Sequence, residues 1–545
     1  MSPIIRILLA AALVASAVPL AAQHDDHAHP ASATPSDVSR LGRVEFANSG
    51  AAAAQPAFQR GMALLHSFLY DEAAGAFRQA QAADRRFAMA YWGELMAISG
   101  DSVATSAVLQ RLGRTPAERQ AAAPTQRERD YLALVERFAF APDNDATSYR
   151  FAEAWRTLHE AYPTDDDATL FYALSLGSLR YVERNDAAKS LRRGVEAGAL
   201  AEEVFARRPD HPGAAHYLIH IYDDARLAPL GLRAARVYSR IAPAAFHAVH
   251  MPSHIFFQFG MWDDVVAANA RGWALSKART AGGDVPPGEW DYHGLDWLHF
   301  AWLQQGRVRQ ARVAADSVRA IWTAERLAQA PSWRHPFLSR LAQGFDARDA
   351  LETGRYPASI DHRTLVSGTD FLVAALAAGE RRDAAAMDSV MARFAVYRDS
   401  VVKDDPAAFG PAQRAALLRL RAVRARAAGH ADSAVALLRL AADSVEADPS
   451  LFLAEGPSRA NVGTTHLLLG QVQLQAGKAE DALAAFDRAL ELSPGRAAAM
   501  LGRARALAAL GRRDEARRTY ARLANTWKHA DPDLPALAEV RAGSR

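Results

Sequence analysis

Cysteine is absent from the 545-residue chain. That absence excludes disulfides, thiolate metal ligands, iron–sulfur clusters, cysteine nucleophiles and acyl-cysteine anchors together. An excess of one charge is missing as well: 64 Lys and Arg stand against 61 Asp and Glu, a formal net charge of +3. The basic residues are dispersed, so the strong positive field of a nucleic-acid binder is not built and no nucleic-acid partner is expected. Beyond residue 22 no apolar run is long enough for a spanning helix, so the mature chain is expected to have no membrane span. Alternating β-type runs are lacking too. The HExxH, GxSxG and GxxxxGK patterns do not occur; Pro163 stands where His159-Glu160 would need a second histidine. What remains is 50% hydrophobic and 23% charged, the balance of a chain that folds around a core.

Met1 to Ala22 reads as a secretory signal, with Arg6 as its charged start, an apolar run from Ile7 and small residues before Gln23. The mature protein is therefore expected to be soluble and periplasmic or secreted. Residues 23–44 read as a flexible linker. It carries His24-Asp25-Asp26-His27-Ala28-His29, a solvated tail that can hold a metal only loosely.

A period of 34 residues organises the rest. Gly470, Gly477, Ala482, Phe486, Ala489 and Pro494 follow the spacing of a tetratricopeptide repeat, and Gly511, Ala516 and Tyr520 repeat it. Gly61, Tyr70, Ala73, Phe77 and Ala80 fit the same frame near the other end. Gly306, Gly379 and Gly429 mark further units. Pro209 and Pro243 lie one period apart, and Gly260 before Trp262-Asp263-Asp264 is the turn of the next unit. Small residues let two helices approach, glycine turns the chain, and aromatic residues fill the interface. The pattern predicts an all-α, tetratricopeptide-like solenoid of helical hairpins, a right-handed superhelix with a concave groove, after the signal peptide. A soft division near residue 280, at the turn-rich Thr280–Gly288 loop, separates a His-containing half (45–280) from a plainer one (281–545). Acidic pairs such as Asp71/Glu72, Asp263/Asp264 and Asp514/Glu515 recur at the start of second helices, where they complement the helix dipole. Tyr91, Trp92 and Trp297 read as core.

The histidines carry the chemistry. His216 and His220 are spaced i, i+4, and so are His250 and His254; the two pairs are one 34-residue period apart. Each pair takes the same place on the first helix of adjacent hairpins, on the concave side. Asp224 joins the first stripe if its helix continues that far, and His293 opens the first helix of the next unit. Together His216, His220, His250, His254, Asp224 and His293 form a candidate set of ligands for Zn²⁺, Fe²⁺, Mn²⁺ or Cu²⁺. Pro252 interrupts the second pair's helix, so His250 and His254 are not expected in ideal geometry. Histidines in a groove also bridge helices or contact a peptide, and a metal-free catalytic role is a third alternative. His66 and Tyr217 are placed as groove residues. His299 falls at a tight helix-packing position and reads as core.

The run Pro209-Asp210-His211-Pro212-Gly213-Ala214-Ala215-His216-Tyr217-Leu218-Ile219-His220, followed by His247-Ala248-Val249-His250-Met251-Pro252-Ser253-His254, resembles segments of a group of exported bacterial tetratricopeptide-repeat proteins. Phe68 to Ala73 and Ala90 to Gly93 are similar to them as well. The resemblance, over about residues 55–275, implies the fold and singles out the four histidines; it implies no reaction. The expected function is thus an exported repeat scaffold that binds a protein, peptide or small ligand in its groove, with or without a His-lined metal site. The alternative is a metal-dependent enzyme or metal carrier on the same scaffold.

Overall fold

The computed structural model describes residues 40–98, 101–281, 290–323, 335–357, 365, 367–403 and 410–545. The signal segment, residues 23–39 of the linker and most of the Thr280–Gly288 loop lie outside them. Among the described residues all regular structure is helical, with no strand and no helix long and apolar enough to cross a membrane. The chain is an all-α, tetratricopeptide-like array of helical hairpins that divides into two compact units. One holds the residues up to Ile255 together with Arg271–Asp291. The other holds Phe256–Ala270 together with Tyr292–Arg545.

In the first part of the chain the helices are α1 (Gln55–His66), α2 (Tyr70–Ala83), α3 (Ala88–Ala97), α4 (Ser102–Leu112), α5 (Pro116–Ala122), α6 (Gln126–Phe138) and α7 (Asp145–Ala161). They continue with α8 (Asp166–Val182), α9 (Ala187–Arg207), α10 (Pro212–Tyr222), α11 (Ala228–Ile241), α12 (Phe246–His250), α13 (Pro252–Gln258) and α14 (Trp262–Ala281). Helix starts are written in the sequence. Thr125 and Glu128 close a capping box at α6, and Asn144, Asp165 and Asp186 cap α7, α8 and α9 through their side chains. Asp71 and Glu72 fall in the first turn of α2, and Asp263 and Asp264 in that of α14, as the dipole reading expects.

One packing device recurs in both units. In the first, the ring of Phe77 on α2 fills the space left by Gly61 on α1 and Gly93 on α3; a Cβ at either glycine would collide with it. In the second unit Phe486 stands in the same way between Gly470 and Gly502. Each aromatic ring thus joins the first helices of two successive hairpins, and a close-packed interior leaves no slack for a larger residue there. Tyr91, Trp92 and Trp297 are core, as expected, and His299 is buried with its ring stacked on Phe345 at 4.1 Å.

The hairpin turns repeat too. Gly477 (φ 74°) and Gly511 (φ 73°) take the left-handed conformation that ends the first helix, and the next residue's N–H reaches back to close the turn: Lys478 to Gln473 O at 2.9 Å, Arg512 to Leu507 O at 3.0 Å. Between α1 and α2 the same place is held by Phe68 (φ 56°), with Leu69 N–H on Leu64 O at 3.0 Å.

Part of the segment that reads as linker is packed. Residues 40–46 are anchored to the first unit: Leu41, Val44 and Phe46 are buried, Arg43 N–H donates to Asp210 O, and Ala244 N–H to Arg40 O. Three apolar residues spaced among polar ones have no helical period, which is why the segment reads as linker.

Candidate metal centre in the first unit

Helix α10 is the spine of the site. Pro212 sits in its first turn, where the missing N–H costs nothing, and nearly every residue from Pro212 to Tyr222 is buried. Its far end is fixed by Arg180 of α8, which donates to the Ile221 carbonyl and pairs with Asp224 at 2.6 Å. Arg226 also pairs with Asp224, at 2.7 Å. This corrects the expected role of Asp224. The helix ends at Tyr222, so Asp224 leaves the His216/His220 stripe and serves as the buried counter-charge of Arg180.

The neighbouring Asp223 takes the position near the histidines instead. Its Oδ2 accepts a hydrogen bond from Nδ1–H of His254 at 2.7 Å, with both side chains buried. His216 is anchored in the same manner, its Nδ1–H donating to the backbone carbonyl of His66 at 2.6 Å. Each acceptor fixes the tautomer and leaves Nε2 with its lone pair outward. Those two nitrogens each meet another imidazole. His216 Nε2 lies 3.1 Å from His247 Nε2, and His254 Nε2 lies 3.1 Å from His250 Nε2.

His220 completes the group. The ligand atoms of His216, His220 and His247 lie within 4.8 Å of one another. The rings of His220 and His254 are 5.7 Å apart, and those of His247 and His250 6.1 Å, so the five imidazoles form one continuous cluster. Pro252 does split the second helix into α12 and α13, yet Met251 keeps helical dihedrals and the two histidines still meet. His216, His250 and His254 are buried, whereas His220 and His247 are partly exposed and give the cluster its open side.

Aromatic rings hold the cluster in place. His216 lies between Tyr238, stacked at 5.1 Å, and Phe68 at 4.3 Å; Phe68 also stacks on His220 and His247. Burial, and then the neighbouring His220, holds His216 well below the ordinary imidazole range. Burial and then His250 do the same for His254. Both are thus neutral at physiological pH, the form that ligates metal.

His66 and Tyr217 do not line an open groove: both are fully buried. His66 Nε2–H donates to Asp167 Oδ1 at 2.7 Å, and the Tyr217 hydroxyl lies 2.9 Å from His66 Nδ1. They face inward because α1, α8 and α10 converge there, which a repeat register read one hairpin at a time does not reveal. His293 opens the helix Tyr292–Gln304 of the second unit, its ring 5.6 Å from Trp297. His24, His27 and His29 lie outside the described residues.

Two members of the cluster escaped the sequence reading. His247 is three residues before His250, a spacing that puts both on one helical face, and the H-x-x-H signal is there to be read. Asp223 has no such signal, because it follows the end of α10.

Residues 473–539 match the family described as tetratricopeptide repeat (TPR_19). No curated protein matches the chain. Among solved structures the chain is similar to one titled crystal structure of the APC/C hetero-tetramer Cut9–Hcn1. Identity is 14%, coverage is 85% of this chain and 78% of that one, and the TM-score is 0.31. The repeat match falls in the second unit, where Phe486 and its two glycines stand.

Proposed function

We propose that this chain is an exported helical-repeat protein whose first unit binds a divalent transition-metal ion (Zn²⁺, Fe²⁺, Mn²⁺ or Cu²⁺) through His216, His220 and His247, with His250 and His254 alongside. One observation carries the reading. Two histidines, each locked at Nδ1 by an acceptor, present Nε2 to a second imidazole nitrogen at 3.1 Å. Two nitrogens bound to one tetrahedral ion at about 2.0–2.1 Å stand roughly 3.4 Å apart, close to that separation. An acceptor on the far ring nitrogen is the usual support of a metal-ligating histidine. The partly exposed side at His220 and His247 is where an external ligand or substrate reaches the ion. That suits a metal carrier or a metal-dependent enzyme.

The test is elemental analysis of untagged protein, followed by zinc titration. Wild type should hold stoichiometric transition metal and gain melting temperature on reloading after chelation. The double variant H220A/H247A should lose at least one equivalent. A chelator-insensitive melting curve, with no metal in the purified protein, would sink the reading.

A second reading concerns the second unit: a protein or peptide partner. The tetratricopeptide match supports it, together with a cleft of about 640 Å³ among those repeats, lined by Asp487, Glu491, Met500, Arg503, Arg518 and Arg522. Such a surface suits a segment of mixed charge. Partner recovery that survives R503A/R518A would remove this cleft as the contact.

A further inference from the structure

We propose that His66, Asp167 and His211 form a second metal site, separate from the partly exposed cluster and closed to solvent, that takes one Zn²⁺-like ion and staples three hairpins together. The three residues come from the end of α1, the first turn of α8 and the position just before α10. Their ligand atoms lie within 4.8 Å of one another, and the residues are 0%, 1% and 3% exposed.

His211 is the second, independent sign. Neither of its ring nitrogens has a hydrogen-bond partner, although the side chain is buried. The nearest carboxylate contact, to Asp167 Oδ1, is 3.7 Å from Nε2 and too long for a hydrogen bond. A buried imidazole with both nitrogens unmet is costly, and such groups are rare unless a bound water or ion satisfies them. The ring of His211 stands edge-on to that of His66 at 4.9 Å, around the same carboxylate. Gly213 keeps the place open, since a Cβ there would run into His66 Nδ1 and come within 3.2 Å of His211 Cε1.

The hydrogen bonds of His66 allow an ion to enter without placing a new charge on the ring. In the metal-free arrangement Nε2–H donates to Asp167 and the Tyr217 hydroxyl donates to Nδ1. With an ion on Nε2 the proton moves to Nδ1, and the Tyr217 oxygen accepts it. The imidazole is neutral in both forms, and Tyr217, a donor in one and an acceptor in the other, supports both. Two imidazoles and one carboxylate are an ordinary donor set for zinc. The carbonyl of the same His66 anchors His216, so an ordered His66 also steadies the outer cluster.

The experiment compares full-length proteins after exhaustive chelation, reloading with Zn²⁺ and removal of the excess. The background is H220A/H247A, which disables the outer trio; the His24–His29 tail and His250/His254 are common to all samples. Adding H211A should lower bound zinc by about one ion per chain and abolish the zinc-dependent rise in melting temperature. D167N should do the same. If H211A does not fold, H211N, which keeps a polar side chain at that position, replaces it. Equal zinc and an equal melting rise with and without the His211 change would overturn the proposal, leaving His211 as a buried neighbour of Asp167 and no more. Loss of zinc with H211A, but none with H220A/H247A, would sustain this site and reject the outer one.

Discussion

Asp223 and Asp224 are adjacent in the chain, yet they serve different halves of the molecule's chemistry. Asp223 orients His254 at 2.7 Å, and Asp224 neutralises Arg180 at 2.6 Å; all four side chains are buried. Their removal should therefore have opposite signatures. Asp224→Ala leaves the Arg180 guanidinium buried without its carboxylate and should cost about 3–5 kcal/mol in urea unfolding. Asp223→Ala should lower zinc affinity by about 10–100-fold, the usual effect of losing an outer-shell partner, with a smaller loss of stability. Equal effects of the two changes on metal affinity would show that Asp223 has no special tie to the site.

His216 and His247 touch through their Nε2 atoms but differ in burial. His216 is enclosed by Tyr238 and Phe68 and holds the His66 carbonyl, so His216→Ala should destabilise even the metal-free protein, by about 2–4 kcal/mol. His247 is partly exposed, so His247→Ala should cost within about 1 kcal/mol without metal. Its effect should emerge only when zinc is added, as a reduced rise in melting temperature. A large loss in metal-free H247A would make it a structural residue.

Phe68 is held in the left-handed region at a turn where Gly477 and Gly511 stand in other hairpins and Arg382 in one more, and its ring lies on three histidines of the cluster. A non-glycine residue there carries backbone strain, retained where the side chain has a local role. Truncation separates the two effects. Phe68→Ala loses the ring and keeps the strain, whereas Phe68→Gly loses the ring and relieves it. F68G should thus be more stable than F68A by about 1 kcal/mol. Both should weaken zinc binding to a similar extent, because both uncover His216, His220 and His247. Equal melting temperatures for the two variants would show that the turn is not strained.

The fold was legible because its signals are local and repeated. Glycine at the turns, Phe77 and Phe486 against paired glycines, and acidic first turns recur at a fixed period, so each hairpin reports the next. The two histidine pairs, one 34-residue period apart, lie side by side, with the rings of His220 and His254 at 5.7 Å, because stacked repeats turn equal sequence offsets into spatial neighbours. Where the reading fell short, the determinant is the end of a helix or a contact between distant hairpins. Asp224 was assigned to a stripe that stops at Tyr222. Asp167 reaches His66 across 101 residues, and Asp223 meets His254 only because α10 ends where it does. No periodicity encodes those meetings. Burial of His66 and Tyr217 likewise depends on three helices converging, not on either residue's place in its own repeat.

His299 makes the second unit sensitive to acid. It is buried, stacked on Phe345 at 4.1 Å, and its Nδ1 has no hydrogen-bond partner. Burial, followed by the positive charges of Arg348 and Arg319, holds it well below the ordinary imidazole range. The unfolded chain takes up a proton at this residue near pH 6.5, and the folded chain does so only at much lower pH. Between those values the unfolded state binds more protons, so stability falls as pH drops, by up to about 1.4 kcal/mol per pH unit for this one group. The loss begins just below pH 6.5 and ends once the folded form is protonated too. His299→Leu keeps an apolar side chain against Phe345 and removes the titration. Urea midpoints measured with a chelator present, from pH 8 down to pH 5, should show a shallower acid slope for H299L than for wild type, with stability at pH 8 equal or higher. His66, His216, His254 and His466 remain in the variant and preserve part of the slope. An unchanged slope would place the acid sensitivity in the other buried histidines and remove His299 as a source of it.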